Sequence, residues 1–126
     1  MINMRSQDIA DISGVNFHIV GCGAIGSSVA TQLARLGANQ FHLYDFDKVG
    51  IENVGVSQYV NEDVGKSKVD ALYTHIKKIE CSIEVELSNS KFKYYQGTKD
   101  DILVLGLDSM SARMEIVKLL AKCPNK

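Results

Sequence analysis

The sequence predicts an α/β, Rossmann-like three-layer domain on a mostly parallel sheet with strand order 3-2-1-4. Three observations carry that expectation. Short apolar strands alternate with amphipathic helical stretches along 126 residues, the pattern of βαβ units joined by right-handed crossovers. A glycine loop, Gly21-Cys22-Gly23-Ala24-Ile25-Gly26, stands directly between the first strand and the first helix, which is the setting that gives a GxGxxG spacing its meaning. An acidic residue, Asp45, ends the second strand roughly twenty residues further on.

Residues 1–14 are polar and mixed, with a short helical turn expected at Ile9 to Ile12, and read as a lead-in or arm. The first strand, Val15 to Val20, sets Val15, Phe17 and Ile19 against Asn16 and His18 in strict alternation. In the loop, Gly21 permits the tight turn, Gly23 leaves room for a phosphate, and Gly26 lets the helix pack closely on the strand. A phosphate would meet the backbone N–H groups from Gly21 and Gly23 through Ala24, Ile25 and Gly26, at the positive end of the helix dipole. The helix then places Ile25, Val29, Leu33 and Leu36 at helical spacing, and Gly37 stops it.

The second strand, Phe41 to Tyr44, carries His42 at the place where the first carries His18, so parallel pairing would bring the imidazoles together. Lacking a third ligand at a matching place, packing is the expected role. Residues 45–65 are irregular, where loops at the carboxyl end of a parallel sheet carry function. Helical periodicity resumes at Val69, Leu72, Tyr73, Ile76 and Ile79, after Gly65-Lys66-Ser67-Lys68. Two lysines in a first turn oppose the helix dipole, and a broken local rule marks a candidate site. His75 on this helix is expected at the surface. A third strand, Ser82 to Leu87, alternates as an edge strand, with Ile83, Val85 and Leu87 inward. Residues 89–98 are expected to form a ribbon or turn over the sheet edge. The fourth strand, Ile102 to Leu107, is continuously apolar and so expects cover on both faces. Asp108-Ser109 and a helix from about Met110 to Lys122 follow.

Composition bounds the function. With 45% hydrophobic and 23% charged residues the chain reads as soluble and globular, and a single domain over 1–126 is expected. A net charge of -1 supplies no field for nucleic acid or an anionic membrane, and no apolar run reaches spanning length. The cytoplasm is the expected compartment. Three widely spaced cysteines suggest neither a disulfide framework nor a zinc site.

Taken together, Gly21 to Gly26, Asp45-Phe46-Asp47-Lys48-Val49, Glu52-Asn53, Asp63 to Val69, and Leu107-Asp108-Ser109 with Arg113 resemble the nucleotide-binding half of the ThiF/MoeB/HesA family, the bacterial relatives of ubiquitin-activating enzymes. The resemblance implies a fold that binds ATP and magnesium (Mg2+) and adenylates the C-terminal carboxylate of a ubiquitin-like or sulfur-carrier protein, or of a peptide. It implies that Asp45, with Asp47 close by, takes the ribose, that Asn53 and Lys66 contact phosphates, and that Asp108 holds the metal. Lys66 and Asp108 would then be the catalytic pair, since attack on an α-phosphate needs charge neutralisation and positioning more than acid or base. A homodimer is also implied.

Two departures stand out. Family members usually follow the asparagine with Leu-Asn-Arg-Gln, whose arginine reaches the phosphates, whereas Asn53-Val54-Gly55-Val56-Ser57-Gln58 has none. The family's crossover loop and paired zinc cysteines are also missing, which suggests a compact or truncated member. Two alternatives follow: a non-catalytic nucleotide-binding or scaffold module, and an NAD-dependent oxidoreductase. The last explains the glycines and Asp45 but leaves Lys66, Asn53 and Asp108 without a purpose.

Overall fold

The computed structural model describes residues 12–90 and 101–107. The expected turn at Ile9 to Ile12, the ribbon over 89–98 and the helix from Met110 to Lys122 fall wholly or largely outside them. The described elements run β1 (Asn16–Val20), α1 (Ala24–Arg35), β2 (Gln40–Tyr44), α2 (Lys68–Ile79), β3 (Glu84–Ser88) and β4 (Ile102–Leu105). The four strands form one parallel sheet in the order β3-β2-β1-β4, as the alternation of elements predicts.

Register sorts the side chains. Phe17 pairs with Phe41 and Ile102, and Ile19 with Leu43 and Val104, so one face of the sheet is apolar and receives both helices. Ala30 and Ala34 let α1 lie close, and Val69, Leu72 and Ile76 of α2 complete the cluster with Phe17, Ile19, Phe41 and Leu43. Leu72 and Ile76 are wholly buried, each contributing roughly 1.5 to 3 kcal/mol by removal from water. The layer expected on the opposite face falls on residues beyond 107.

That opposite face carries the histidines. His18 and His42 are direct register partners, their rings 5.7 Å apart, with Tyr44 stacked 4.1 Å from His42. His18 Nδ1 lies 2.8 Å from the Tyr44 hydroxyl and Nε2 2.8 Å from Asp101 Oδ2, while His42 Nε2 is 2.7 Å from Ser88 Oγ. Burial holds His42 below the usual imidazole range despite Glu86 beside it, with His18 adding to the depression. These bonds account for both rings as internal partners of the sheet, the packing role expected of them.

Among the described strands β3 is an edge, with Ile83 buried, Val85 packed on the core and Glu84 and Glu86 facing solvent as the alternation predicts, but Leu87, expected inward, is exposed. β4 is less enclosed than its apolar run predicts, with Ile102 exposed and Leu103 to Leu105 half-buried. Among the described residues it pairs only with β1, and no described helix is long and apolar enough to cross a membrane.

Candidate functional site

The site begins where three glycine backbones meet. Gly21 adopts a left-handed φ of 93°, and a Cβ on it would lie 2.9 Å from the Gly106 carbonyl. A Cβ on Gly26 would fall 1.8 Å from Gly21 O, and one on Gly106 2.6 Å from the same oxygen. Hydrogen bonds lock the approach: Gly21 N–H donates to Tyr44 C=O and Gly106 N–H to Val20 C=O, both at 2.8 Å. The loop is thereby pressed between β1, β2, β4 and the start of α1.

α1 starts without a side-chain cap. Its cap residue is Gly23 and no acid occupies the first turn, so the N–H groups of Ala24, Ile25 and Gly26 have no intrahelical acceptor. α2 differs, since Ser67 Oγ accepts the Asp70 N–H. An anion is the natural complement of the α1 end.

Asp45 closes the other side of the loop. Its Oδ2 accepts the Cys22 N–H and its Oδ1 the Asp47 N–H, both at 2.8 Å. A carboxylate offers about four lone pairs, so both oxygens keep capacity for ribose hydroxyls. Cys22 itself is buried, and burial foremost, with Asp45 nearby, pushes its thiol well above the usual range. It is a packing residue without nucleophilic character.

The irregular stretch after Asp45 is tied down more firmly than its sequence suggests. Lys48 bridges Ser67, Val49 N–H donates to Lys66 C=O, Gly65 N–H to Val49 C=O and Lys68 N–H to Asp47 C=O. Tyr59, fully buried, donates its hydroxyl to Cys22 C=O at 2.5 Å and lies 3.3 Å from Lys68 C=O, and burial raises its phenol well above the usual range. One aromatic ring therefore links the loop, the glycine turn and the start of α2.

The lysines separate here. Lys68 has a side chain only 10% exposed, its Nζ 3.9 Å from Asp47 Oδ2, and its charge is felt at Cys22. Lys66 is 55% exposed, and its Nζ lies 4.0 Å from Asp63 Oδ1. Of the two, Lys68 shares the neighbourhood of Asp45 and Asp47. Asn53 uses its side-chain oxygen to accept the Gly50 N–H at 2.8 Å and close a 3-10 turn, Ile51–Asn53. Asp108 and Arg113 lie outside the described residues.

An open groove of about 420 Å³ runs between the first turns of α1 and residues 55–58, lined by Ala24, Ile25 and Ser28 on one side and Val56 and Gln58 on the other. Val56, where the family pattern expects an arginine, is strongly exposed. That position thus stands across from the uncapped helix end.

His75 corrects a surface expectation. It is half-buried, its Nε2 2.8 Å from Asp63 Oδ2, which also accepts the Val60 N–H at 2.9 Å. Burial pushes the Asp63 carboxyl up, but the hydrogen bonds from His75 and Val60 and the charges of His75 and Lys66 outweigh it and hold the group below its ordinary value. A depressed carboxylate contributes stability that is complete above the unfolded pKa and disappears as pH falls through the folded one. Asp63→Asn should therefore be less stable than the parent at about pH 7, with the gap narrowing below about pH 4, the ordinary carboxylate value. Urea unfolding across that range measures it; a gap that widens on acidification would contradict the sign.

Comparison with known proteins adds three findings. The model of the ThiF family matches residues 1–123. Ubiquitin-like modifier-activating enzyme 5 of Caenorhabditis briggsae is 28% identical over 125 residues, covering 87% of this chain and 29% of that protein. Among solved structures, MccB of E. coli with ATP superposes with a TM-score of 0.61 at 28% identity, over 67% of this chain and 25% of MccB. The same protein with MccA gives 0.63 at 27%, over 70% and 25%. The chain thus spans less than a third of the length of these relatives.

Proposed function

This chain belongs to the ThiF family, and from that premise we propose that it binds ATP with magnesium and serves the adenylation of a C-terminal carboxylate on a ubiquitin-like protein, a sulfur-carrier protein or a peptide. The observation that carries the reading is the uncapped start of α1 pressed against Gly21 and Gly106, with Asp45 bonded to the same loop. A dinucleotide site would use the loop and Asp45 equally well. It would have no use for a lysine 10% exposed beside Asp47. The names of the relatives support the choice of ligand and of substrate class, since MccB was solved both with ATP and with MccA.

In this reading the N–H groups of Gly23, Ala24, Ile25 and Gly26 hold phosphate oxygens, Asp45 accepts the ribose hydroxyls, and Asp47 assists. Lys68 neutralises phosphate charge from below, with Lys66 and the Asn53 amide reaching in from the rim. Asp108 would hold the metal; it follows Leu107, whose side chain closes on Gly21. Magnesium, when bound, supplies charge neutralisation and orientation of the phosphates. The residues of this chain bind, orient and neutralise; none needs to move a proton. A homodimer is part of the proposal.

A second reading, a nucleotide-binding module without catalysis, is favoured by one feature: Val56 stands where a charged side chain would face the phosphates. Calorimetric titration decides the ligand. ATP with magnesium should bind more tightly than NAD; tighter NAD binding would remove the adenylation reading and its alternative together. Pyrophosphate exchange with a carrier protein then separates those two, since a missing transition-state charge typically costs about 2.7 to 4 kcal/mol.

A further inference from the structure

One side chain fastens the turn before α2 to the helix itself. Asp63, the one buried residue of the 3-10 turn Asn61–Asp63, closes it, and His75, two helical turns into α2, reaches back to Oδ2 at 2.8 Å. Lys66 Nζ stands off the other oxygen. The His75 ring meets the Tyr59 ring edge-on, centroids 6.3 Å apart. From the loop, then, the titratable groups facing His75 are Asp63 and Tyr59, with Lys66 on the far side of the carboxylate.

Asp63, His75 and Lys66 lie outside the core cluster of Ala30, Leu43, Leu72, Ile76 and their neighbours, to which Tyr59 belongs. Their geometric effect is elsewhere. Lys66 N–H donates to Asp63 C=O at 3.0 Å, Lys66 C=O accepts the Val49 N–H, and Tyr59 holds the Lys68 carbonyl. Whatever fixes Asp63 and Tyr59 fixes the two backbone positions that carry the lysines. A hydrogen bond to a charged, buried carboxylate is the strongest restraint available for that purpose.

We propose that His75 is a positioning residue for the phosphate-contacting lysines: it anchors Asp63 and Tyr59 to α2 and so presents Lys66 and Lys68 to the triphosphate without touching the nucleotide. The inference rests on the nucleotide-binding reading above and adds a residue to it. Its signature is selectivity along the phosphate chain. Loosening the turn weakens contacts to the outer phosphates, while the glycine loop and Asp45, which a monophosphate also uses, stay where they are.

The test compares ATP and AMP affinities by calorimetry on the full chain, with His75→Ala and His75→Gln. The glutamine amide nitrogen occupies the place of Nε2 and donates to Asp63. For His75→Ala the ATP affinity should fall about tenfold and the AMP affinity less than about twofold, and His75→Gln should recover most of the loss. Equal losses for both ligands, or an unchanged ATP affinity, would overturn the proposal. A second readout needs no ligand: hydrogen exchange at the Val60 and Lys66 amides should accelerate in His75→Ala and not in His75→Gln. Unchanged exchange would overturn the anchoring on its own. A parent chain that bound neither nucleotide would defeat the adenylation reading, and the exchange rates would still judge His75.

Discussion

Gly26→Ala should destabilise the fold by roughly 3 kcal/mol and abolish nucleotide binding, because the new Cβ has nowhere to go. It would sit 1.8 Å from Gly21 O, in a turn held by the bonds from Gly21 N–H to Tyr44 C=O and from Gly106 N–H to Val20 C=O. Relief requires the loop to lift off the helix or the helix off the sheet. Overpacking of this kind typically costs about 1 to 3 kcal/mol, and backbone collisions stand at the top of the range. The control is Gly55→Ala: its φ is 91° but nothing lies within 4 Å of the added carbon, so only the left-handed conformation is penalised, by about 1 kcal/mol. Urea denaturation of both variants, followed by ATP titration, reads the difference. Equal costs would mean that the glycine contact is looser than the geometry states.

Lys68→Met should weaken ATP binding about thirtyfold, near 2 kcal/mol, the usual worth of a hydrogen-bonded contact to a charged group. Lys66→Met should cost about tenfold or less, being more exposed and already drawn toward Asp63. Methionine keeps the stem volume, and Asp47, the partner left behind, is exposed and well hydrated, so the unliganded fold should change by under about 1 kcal/mol. Calorimetry on the two variants orders them. A larger loss at Lys66 would assign the principal phosphate role to the residue that the family resemblance implies.

The different burial of Lys66 and Lys68 shows what can and cannot be read from sequence. The two lysines at the approach to α2 are a local fact, visible in four residues, although only Lys68 lies within the helix and Lys66 precedes its cap, Ser67. Which of them turns inward depends on Asp47 and Tyr59, brought into place by a bridge between Lys48 and Ser67 that no local pattern announces. The strands, the extent of α1, the sheet order and the meeting of His18 with His42 were legible because period and parallel register are properties of the chain itself, but α1 buries Ser27, Ala30, Thr31 and Ala34 and leaves Ile25 and Leu36 of the expected stripe exposed. Gly106 was not, since its reason for being glycine is the carbonyl of Gly21. The pairing of Asp63 with His75 joins an irregular turn to a helix, so neither helical nor strand spacing points to it. Tyr59 was a lone aromatic in a loop whose hydroxyl finds its acceptors only after folding.

The meeting of Gly21, Gly26 and Gly106 also dictates an order in time. The first strand, the glycine turn and α1 are contiguous and can take shape from local contacts within microseconds. Their final bond, from Gly106 to Val20, joins positions 20 and 106 and waits until the three connections between β1, β2, β3 and β4 have been made. Closing so long a stretch carries an entropic penalty that must be met before the contact returns anything. On the ribosome the same rule becomes a sequence of events: a nascent chain that has exposed its glycine turn still lacks the floor beneath it. β4, the last of the described strands along the chain, is therefore the element that completes the packing beneath the glycine turn.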